Sequence, residues 1–438
     1  MDMVITPSFP AGQVKAPASK SEAHRLLICA ALCPGTTDID CDTTSQDIDA
    51  TAACLRALGA RVTRTAKGFR VVPVPGAGSS DNIREAVRGA LLDCGESGST
   101  LRFMLPVVAA LGCDASLTGH GRLPERPLSP LYEELVAHGA ELGPQGSFPL
   151  HVGGRATAGR YVIAGNVSSQ YVSGLLMAAP VMGAPVEVLV TKPVESLPYI
   201  DLTCAALAQF GVEVARGEAV VGDKPAMSFA VSAPQGLRSP GVVSVGGDWS
   251  NAAFWLAAGA MSDEGLTVTG VDLKSTQGDR AIMGALALLG ARVTRAQGQV
   301  TVMRENLHGC RLDVSACPDL VPPLAAVAAV AEGTTTICGA ARLRIKESDR
   351  LKTVSAAINA LGGRVSETDD GLVIEGVSEL SGGTVDAAND HRIAMMSAIL
   401  AARCTGPTTI VGAQCVAKSY PAFFEDFSML GGRCQKED

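Results

Sequence analysis

Aromatic side chains are scarce in this 438-residue chain, at 4% of all residues, which leaves too few rings for a stacking platform on single-stranded nucleic acid. Positive charge is also short. Lys and Arg number 36 against 44 Asp and Glu, for a net charge of -8, so there is no long-range attraction toward nucleic acid or anionic membrane, and any basic site must be local. No apolar run is long enough to span a bilayer: the longest, Val321 to Ala331, stops at Glu332. The first residues, Met1 to Pro7, lack the basic and apolar regions of a secretory leader, and a cytoplasmic location is expected. The 13 cysteines are odd in number and contain no C-x-x-C pair, so neither a disulfide framework nor a zinc ribbon is expected. No G-x-x-x-x-G-K-[ST] loop for nucleotide phosphates is present.

What the chain does have is apolar content of 47%, with 48 Gly and 24 Pro, the composition of a globular protein rich in turns. Its length exceeds what one hydrophobic core usually serves and predicts two domains. A repeat gives this division an internal logic. Six times a helical tail runs into a glycine and then a short alternating stretch, with the glycines at Gly59, Gly139, Gly211, Gly290, Gly362 and Gly431, every 69 to 80 residues. Each glycine is placed to end a helix in a left-handed cap and release the chain into a strand, as in Leu207 to Val214 and Leu286 to Val293. A period this long is an α/β subunit of structure, and six copies divide into three per half. The composition breaks near Ala233-Pro234-Gln235-Gly236.

Several stretches carry polar groups beyond what helix capping needs. In Ser19-Lys20-Ser21-Glu22-Ala23-His24-Arg25 the Ser-x-x-Glu spacing predicts a helix start, with Lys20, Ser21 and Arg25 around free backbone N–H groups. A solvated capped helix start explains this stretch equally well. In Asp93 to Arg102, Gly98 lacks a Cβ and could let an anion approach the backbone ahead of the helix Leu101 to Leu111, though a plain turn would look the same. Arg126 stands between Pro124 and Pro127, on stiff backbone. Ser168, Ser169 and Gln170 crowd the start of the helix Val172 to Ala179. The densest segment is Arg344 to Arg350. On a helix running to Leu361, Lys346 and Glu347 would share a face with Arg350, so Glu347 is either an ordinary ion-pair partner or a proton-exchanging group clasped by cations. Arg392 and Lys418 lie beside Asp390 and Ser419, each expected to cap a helix, and Asp319 precedes the long apolar run, where a lone Asp is most simply a cap.

Taken in order from Lys20 to Lys418, these motifs resemble the 5-enolpyruvylshikimate-3-phosphate synthase family. The most specific are Lys346-Glu347-Ser348-Asp349-Arg350, Asp390-His391-Arg392, Ser168-Ser169-Gln170-Tyr171 and Glu125-Arg126-Pro127. The resemblance implies an α/β (α+β) fold of two globular domains, each of three βαβαββ units, with the active site in the interdomain cleft. The domains would be 1–17 with 236–422, where 423–438 completes the sixth copy, and 18–235. It implies transfer of the enolpyruvyl group of phosphoenolpyruvate to the 5-hydroxyl of shikimate 3-phosphate, with no cofactor and no metal. Lys20, Ser21, Arg25, Ser168, Ser169, Gln170, Ser196, Tyr199, Asp319 and Lys346 would hold shikimate 3-phosphate. Lys20, Gly98, Arg126, Gln170, Arg350, Arg392 and Lys418 would hold phosphoenolpyruvate. Asp319, Glu347 and Lys20 are the implied catalytic groups, with Asp319 taking the hydroxyl proton and Glu347 serving the methylene carbon.

Two positions depart from the family pattern: Glu96 and Arg342 each stand where members carry Asn, and neither is assigned to binding. The partners expected are the two small substrates, with no nucleic acid or membrane, and the default oligomeric state is monomer. Two alternatives use the same fold. One is the enolpyruvyl transferase acting on UDP-N-acetylglucosamine, which carries Lys-Asn where this chain has Lys20-Ser21 and a reactive Cys in a stretch that here, Gly119 to Pro127, has none. The other is a non-catalytic binding protein, which would have no use for the carboxylates at Asp319 and Glu347.

Overall fold

A computed structural model describes residues 1–77, 87–232 and 235–437. Of the composition break noted above, Ala233 and Pro234 lie outside the described residues.

The six glycines do end six helices. Each sits two residues past the last helical residue, after Gln46–Ala57, Leu131–Ala137, Leu197–Gln209, Ile282–Leu288, Arg350–Ala360 and Phe423–Met429. Their φ angles run from 78° to 99°, a conformation that a side chain would strain. The following residue commonly closes the cap, as where Ala60 N donates to Leu55 O at 3.0 Å and Gly432 N donates to Phe427 O at 2.9 Å. A strand begins within two residues of five of these glycines. The third copy differs: Val212 to Val214 is not a strand, and pairing starts at Ala215–Val221.

Among the described residues, six sheets of four strands each share one order, in which the first two strands are parallel and the other two pair antiparallel. The copy spanning Arg88–Asp93, Gly98–Leu111, Asp114–Thr118, Leu131–Ala137, Ala140–Leu142 and Leu150–Gly154 shows the βαβαββ order within one continuous segment.

Three copies borrow a strand from a distant part of the chain. Gly12–Lys15 pairs parallel with Leu266–Thr269, and Val242–Ser244 pairs parallel with Thr37–Asp40. Asp2–Thr6 lies between Thr408–Val411 and Arg433–Glu437 and completes the sixth sheet. The two compact units are therefore Met1–Pro17 with Gly246–Asp438, and Ala18–Val245. The expected second boundary after residue 235 moves ten residues on, because Val242–Ser244 is the first strand of the Thr37–Asp40 sheet.

Each unit packs its sheets around three helices that are apolar on nearly every side, as helices buried all round must be. In Ala18–Val245 these are Lys20–Leu32, Gly98–Leu111 and Ser169–Ala178, and in the other unit Trp249–Ala260, Val321–Ala328 and His391–Ala401. The glycine-capped helices lie farther out and keep an exposed face, with Leu288 and Met429 among the exposed apolar residues. Among the described residues, no helix is long and apolar enough to cross a membrane.

Candidate active site

Many of the sequence-predicted site residues, among them Lys20, Ser21, Gly98, Ser169, Gln170, Asp319 and Arg392, lie at or just before the starts of these central helices, where backbone N–H groups and the helix dipole favour an anion. In Ala18–Val245 the three starts are linked to one another. Ser19 caps the first helix, its Oγ accepting from Glu22 N, and the Lys20 ammonium lies 2.8 Å from Asp47 Oδ2. Thr100, in the first turn of the second, donates to Asp47 O at 3.4 Å. Gln170, in the first turn of the third, donates from Nε2 to Ser99 Oγ at 2.9 Å. Ser168 caps that helix, accepting from Gln170 N, which leaves Ser169 and Gln170 outside the capping duty.

Gly98 is not a loop residue but the first residue of Gly98–Leu111, capped by Ser97. A Cβ there would stand 2.6 to 2.7 Å from the Arg126 guanidinium, so the glycine makes room for an arginine at this helix start. Glu96, the residue that departs from the family pattern, turns toward His120, 3.9 Å away.

Arg25, expected among the residues that hold shikimate 3-phosphate, has a dense set of partners within its own unit. It is buried, with Nε on Thr203 Oγ1 at 2.7 Å, Nη1 on the Ser21 carbonyl at 2.7 Å, and Nη2 on the Tyr199 carbonyl at 3.0 Å and Ser173 Oγ at 3.2 Å. Burial pushes its pKa down to about 10. Its position fixes the backbone at Ser21 and Tyr199. Ser196 has a left-handed φ of 54° at the start of Leu197–Gln209 and accepts from Tyr199 N.

In the other unit the carboxylates and cations of the predicted site meet around Arg350. Its Nη1 lies 2.8 Å from Asp319 Oδ1, its Nη2 2.7 Å from Glu347 Oε2, and its Nε 2.7 Å from Asp390 Oδ2. Arg392 approaches Asp319 Oδ2 at 3.1 Å, and Lys346 lies 3.9 Å from Asp319 Oδ1. Burial by itself would raise the Asp319 carboxyl, but the charges of Arg392, Lys346 and Arg350 outweigh it and hold the group well below the usual carboxylate range. Arg350, which burial would discharge, is kept firmly protonated by Asp390, Glu347 and Asp319. Lys418 donates to the Asn389 carbonyl at 2.6 Å, on a turn where Ala388 and Asn389 both have positive φ.

Three local expectations are corrected here. Lys346 and Glu347 are not on the helix, which begins at Arg350 behind an Asp349 cap; a short 3-10 segment, Ala341–Ile345, delivers them instead. Ser419 is no N-cap, since Ala413–Lys418 is itself 3-10 and the last helix starts at Phe423. Asp319 does not cap its helix, because its carboxylate is committed to arginines. Asp390 does cap His391–Ala401, accepting from Arg392 N. Arg344 pairs with Asp349 and Glu367, and Arg342 donates to the Ser315 carbonyl.

Reading the sequence missed Asp47, Arg102 and the second role of Asp390. Their partners lie 27, 68 and 40 residues away in sequence, beyond any local spacing rule.

A family model described as EPSP synthase (3-phosphoshikimate 1-carboxyvinyltransferase) matches residues 6–427. The chain belongs to the EPSP synthase family. Among relatives named 3-phosphoshikimate 1-carboxyvinyltransferase, that of Clostridium kluyveri is 41% identical over 432 residues, covering 98% of this chain and 97% of the relative. That of Clostridium acetobutylicum is 39% identical over 433 residues, with the same coverage. An EPSP synthase structure from Acinetobacter baumannii aligns over all of both chains at TM-score 0.78 and 26% identity. The enolpyruvyl transferase NikO from Streptomyces tendae aligns over 99% of this chain and 98% of its own at TM-score 0.74, and at 19% identity it shows the shared fold alone.

Proposed function

We propose that the chain transfers the enolpyruvyl group of phosphoenolpyruvate to the 5-hydroxyl of shikimate 3-phosphate. The observation that carries this reading is the single guanidinium of Arg350 bonded to Asp319, Glu347 and Asp390 at once, with Arg392 and Lys346 alongside. Three carboxylates and three cations in one largely buried cluster suit a reaction that moves protons beside anionic substrates.

The hydroxyl oxygen adds to C2 of phosphoenolpyruvate while its proton passes to Asp319 and C3 gains a proton from Glu347, giving a tetrahedral intermediate with a methyl group. Loss of phosphate from C2, its leaving oxygen taking up the proton held by Asp319, and loss of a methyl proton to Glu347 restore the double bond, leaving the enolpyruvyl ether, inorganic phosphate and both carboxyl groups in their starting states. With its cations in place Asp319 is a weak base. An arriving phosphate or carboxylate takes up part of the charge of Arg392, Lys346 and Arg350, and the Asp319 pKa then rises toward one suited to accepting a proton. In this reading Arg350, Arg392 and Lys418 bind phosphoenolpyruvate together with Lys20, Gly98, Arg126 and Gln170. Ser168, Ser169, Gln170, Ser196, Tyr199, Lys20, Ser21 and Lys346 bind shikimate 3-phosphate, and Arg25 acts through Ser21 and Tyr199.

Phosphate release from the two substrates tests the reaction. Asp319→Asn and Glu347→Gln should each slow it by about 100-fold or more, and retained turnover in either variant removes that residue from the chemistry.

A further inference from the structure

We propose that Arg102, together with Ser99, is a positioning residue that determines which end of the Gln170 side-chain amide is presented to substrate. This inference rests on the function proposed above, in which Gln170 meets both anions.

A glutamine amide can offer an anion either its N–H donors, which attract, or its carbonyl oxygen, which repels. Ser99 alone cannot choose between them, because a hydroxyl donates or accepts with equal ease. Arginine has no acceptor, so the contact of Arg102 Nη1 at 2.9 Å can only be to the carbonyl end, Oε1. Nε2 is thereby turned away with two hydrogens, one of which goes to Ser99 Oγ at 2.9 Å. The other is the donor for an anion at the start of Ser169–Ala178.

Arg102 is itself firmly placed. It is 4% exposed, its Nη2 donates to the Pro127 carbonyl at 3.2 Å, and its guanidinium lies 5.6 Å from the Tyr171 ring centroid. Tyr171 donates its hydroxyl to the same Pro127 carbonyl at 2.6 Å, so the segment carrying Arg126 is tied to this point as well.

The backbone explains the closeness of the two helices. Pro106 lies inside Gly98–Leu111 and has no N–H for the carbonyl four residues earlier, that of Arg102. Gly174 packs against that carbonyl, where a Cβ would stand 2.5 Å from the oxygen and 2.7 Å from the Pro106 ring. The helices thus touch at Arg102 and Gly174, one turn beyond Gln170, within reach of the guanidinium.

A double-mutant cycle with Gln170→Ala reads this role through steady-state kinetics. Arg102→Lys should lower kcat/KM by about thirtyfold in the wild-type background and by no more than about twofold when Gln170 is already Ala, because it acts through that side chain. Equal losses in both backgrounds would overturn positioning alone, whereas no turnover by the wild-type chain would remove the functional reading and this inference with it. Gln170→Glu tests the relationship without altering Arg102. A carboxylate there pairs with Arg102 but has no donor to present, so the variant should melt no lower than wild type and lose as much kcat/KM as Gln170→Ala. Retained activity in Gln170→Glu, or a lowered melting point, would contradict the proposal.

Discussion

Arg350 and Asp390 form a buried two-pronged ion pair, Nε to Oδ2 at 2.7 Å and Nη2 to Oδ1 at 3.2 Å, with side-chain exposures of 2% and 0%. The same carboxylate accepts from Ser348 Oγ at 3.0 Å and from Arg392 N at 3.0 Å. One aspartate thus caps a central helix, anchors the segment that brings in Glu347, and orients the arginine that faces Asp319 and Glu347.

Removing it should be severe. Asp390→Ala strands a buried guanidinium and a helix start together, and should lower stability in urea unfolding by about 3–5 kcal/mol, the range for breaking a buried pair. Asp390→Asn keeps a cap acceptor but not the charge, and should fall between wild type and Asp390→Ala. A loss under 1 kcal/mol for the alanine variant would show that the pair contributes little.

Gly98 allows binding and folding to be separated. A Cβ at this position meets the far end of a flexible side chain, the Arg126 guanidinium, which can swing away without disturbing the backbone. Gly98→Ala should therefore melt at or above the wild-type temperature, since alanine is the better helix former. Its KM for phosphoenolpyruvate should rise about 10- to 100-fold, the equivalent of one lost charge-assisted hydrogen bond. An unchanged KM would take Arg126 out of that subsite.

What could be read from the sequence follows the range of the interactions. The caps at Ser19 and Asp390 and the six glycines depend on neighbours within a few residues, and they stand where the pattern put them. The placement of Asp2–Thr6, Gly12–Lys15 and Val242–Ser244 depends on partners up to several hundred residues away, which no local pattern encodes. The site shows the same division. Lys346, Glu347 and Arg350 are recognisable as a group, but helical spacing does not reach back across Asp349, the N-cap at which the helix begins. Asp47 and Arg102 carried no local signal, because each matters only through a side chain on another element.

The repeated glycine cap can be tested where sterics do not intervene. At Gly431 φ is 89° and a Cβ would meet nothing within 4 Å, so the backbone conformation alone sets the effect of a substitution. Gly431→Ala should lower stability by about 1–2 kcal/mol in urea unfolding, the penalty for a left-handed residue with a Cβ. No change would mean that the last cap relaxes at little expense.

His24 supplies a pH test. It is wholly buried, with Nδ1 2.7 Å from Thr51 Oγ1, and burial, then the charges of Lys20 and Arg25, hold its pKa well below the ordinary imidazole value of about 6.5. The folded chain thus resists a proton that the unfolded chain accepts. This contribution is fully present above about pH 6.5 and is lost as pH falls toward the depressed folded-state pKa, at up to about 1.4 kcal/mol per pH unit. His24→Asn can keep a polar contact to Thr51 but cannot titrate. Urea unfolding at pH 7 and pH 5 should show wild type losing about 1–2 kcal/mol more than His24→Asn over that interval. Parallel losses would place the acid sensitivity elsewhere, and a steeper loss in the variant would mean that the imidazole is charged in the folded chain.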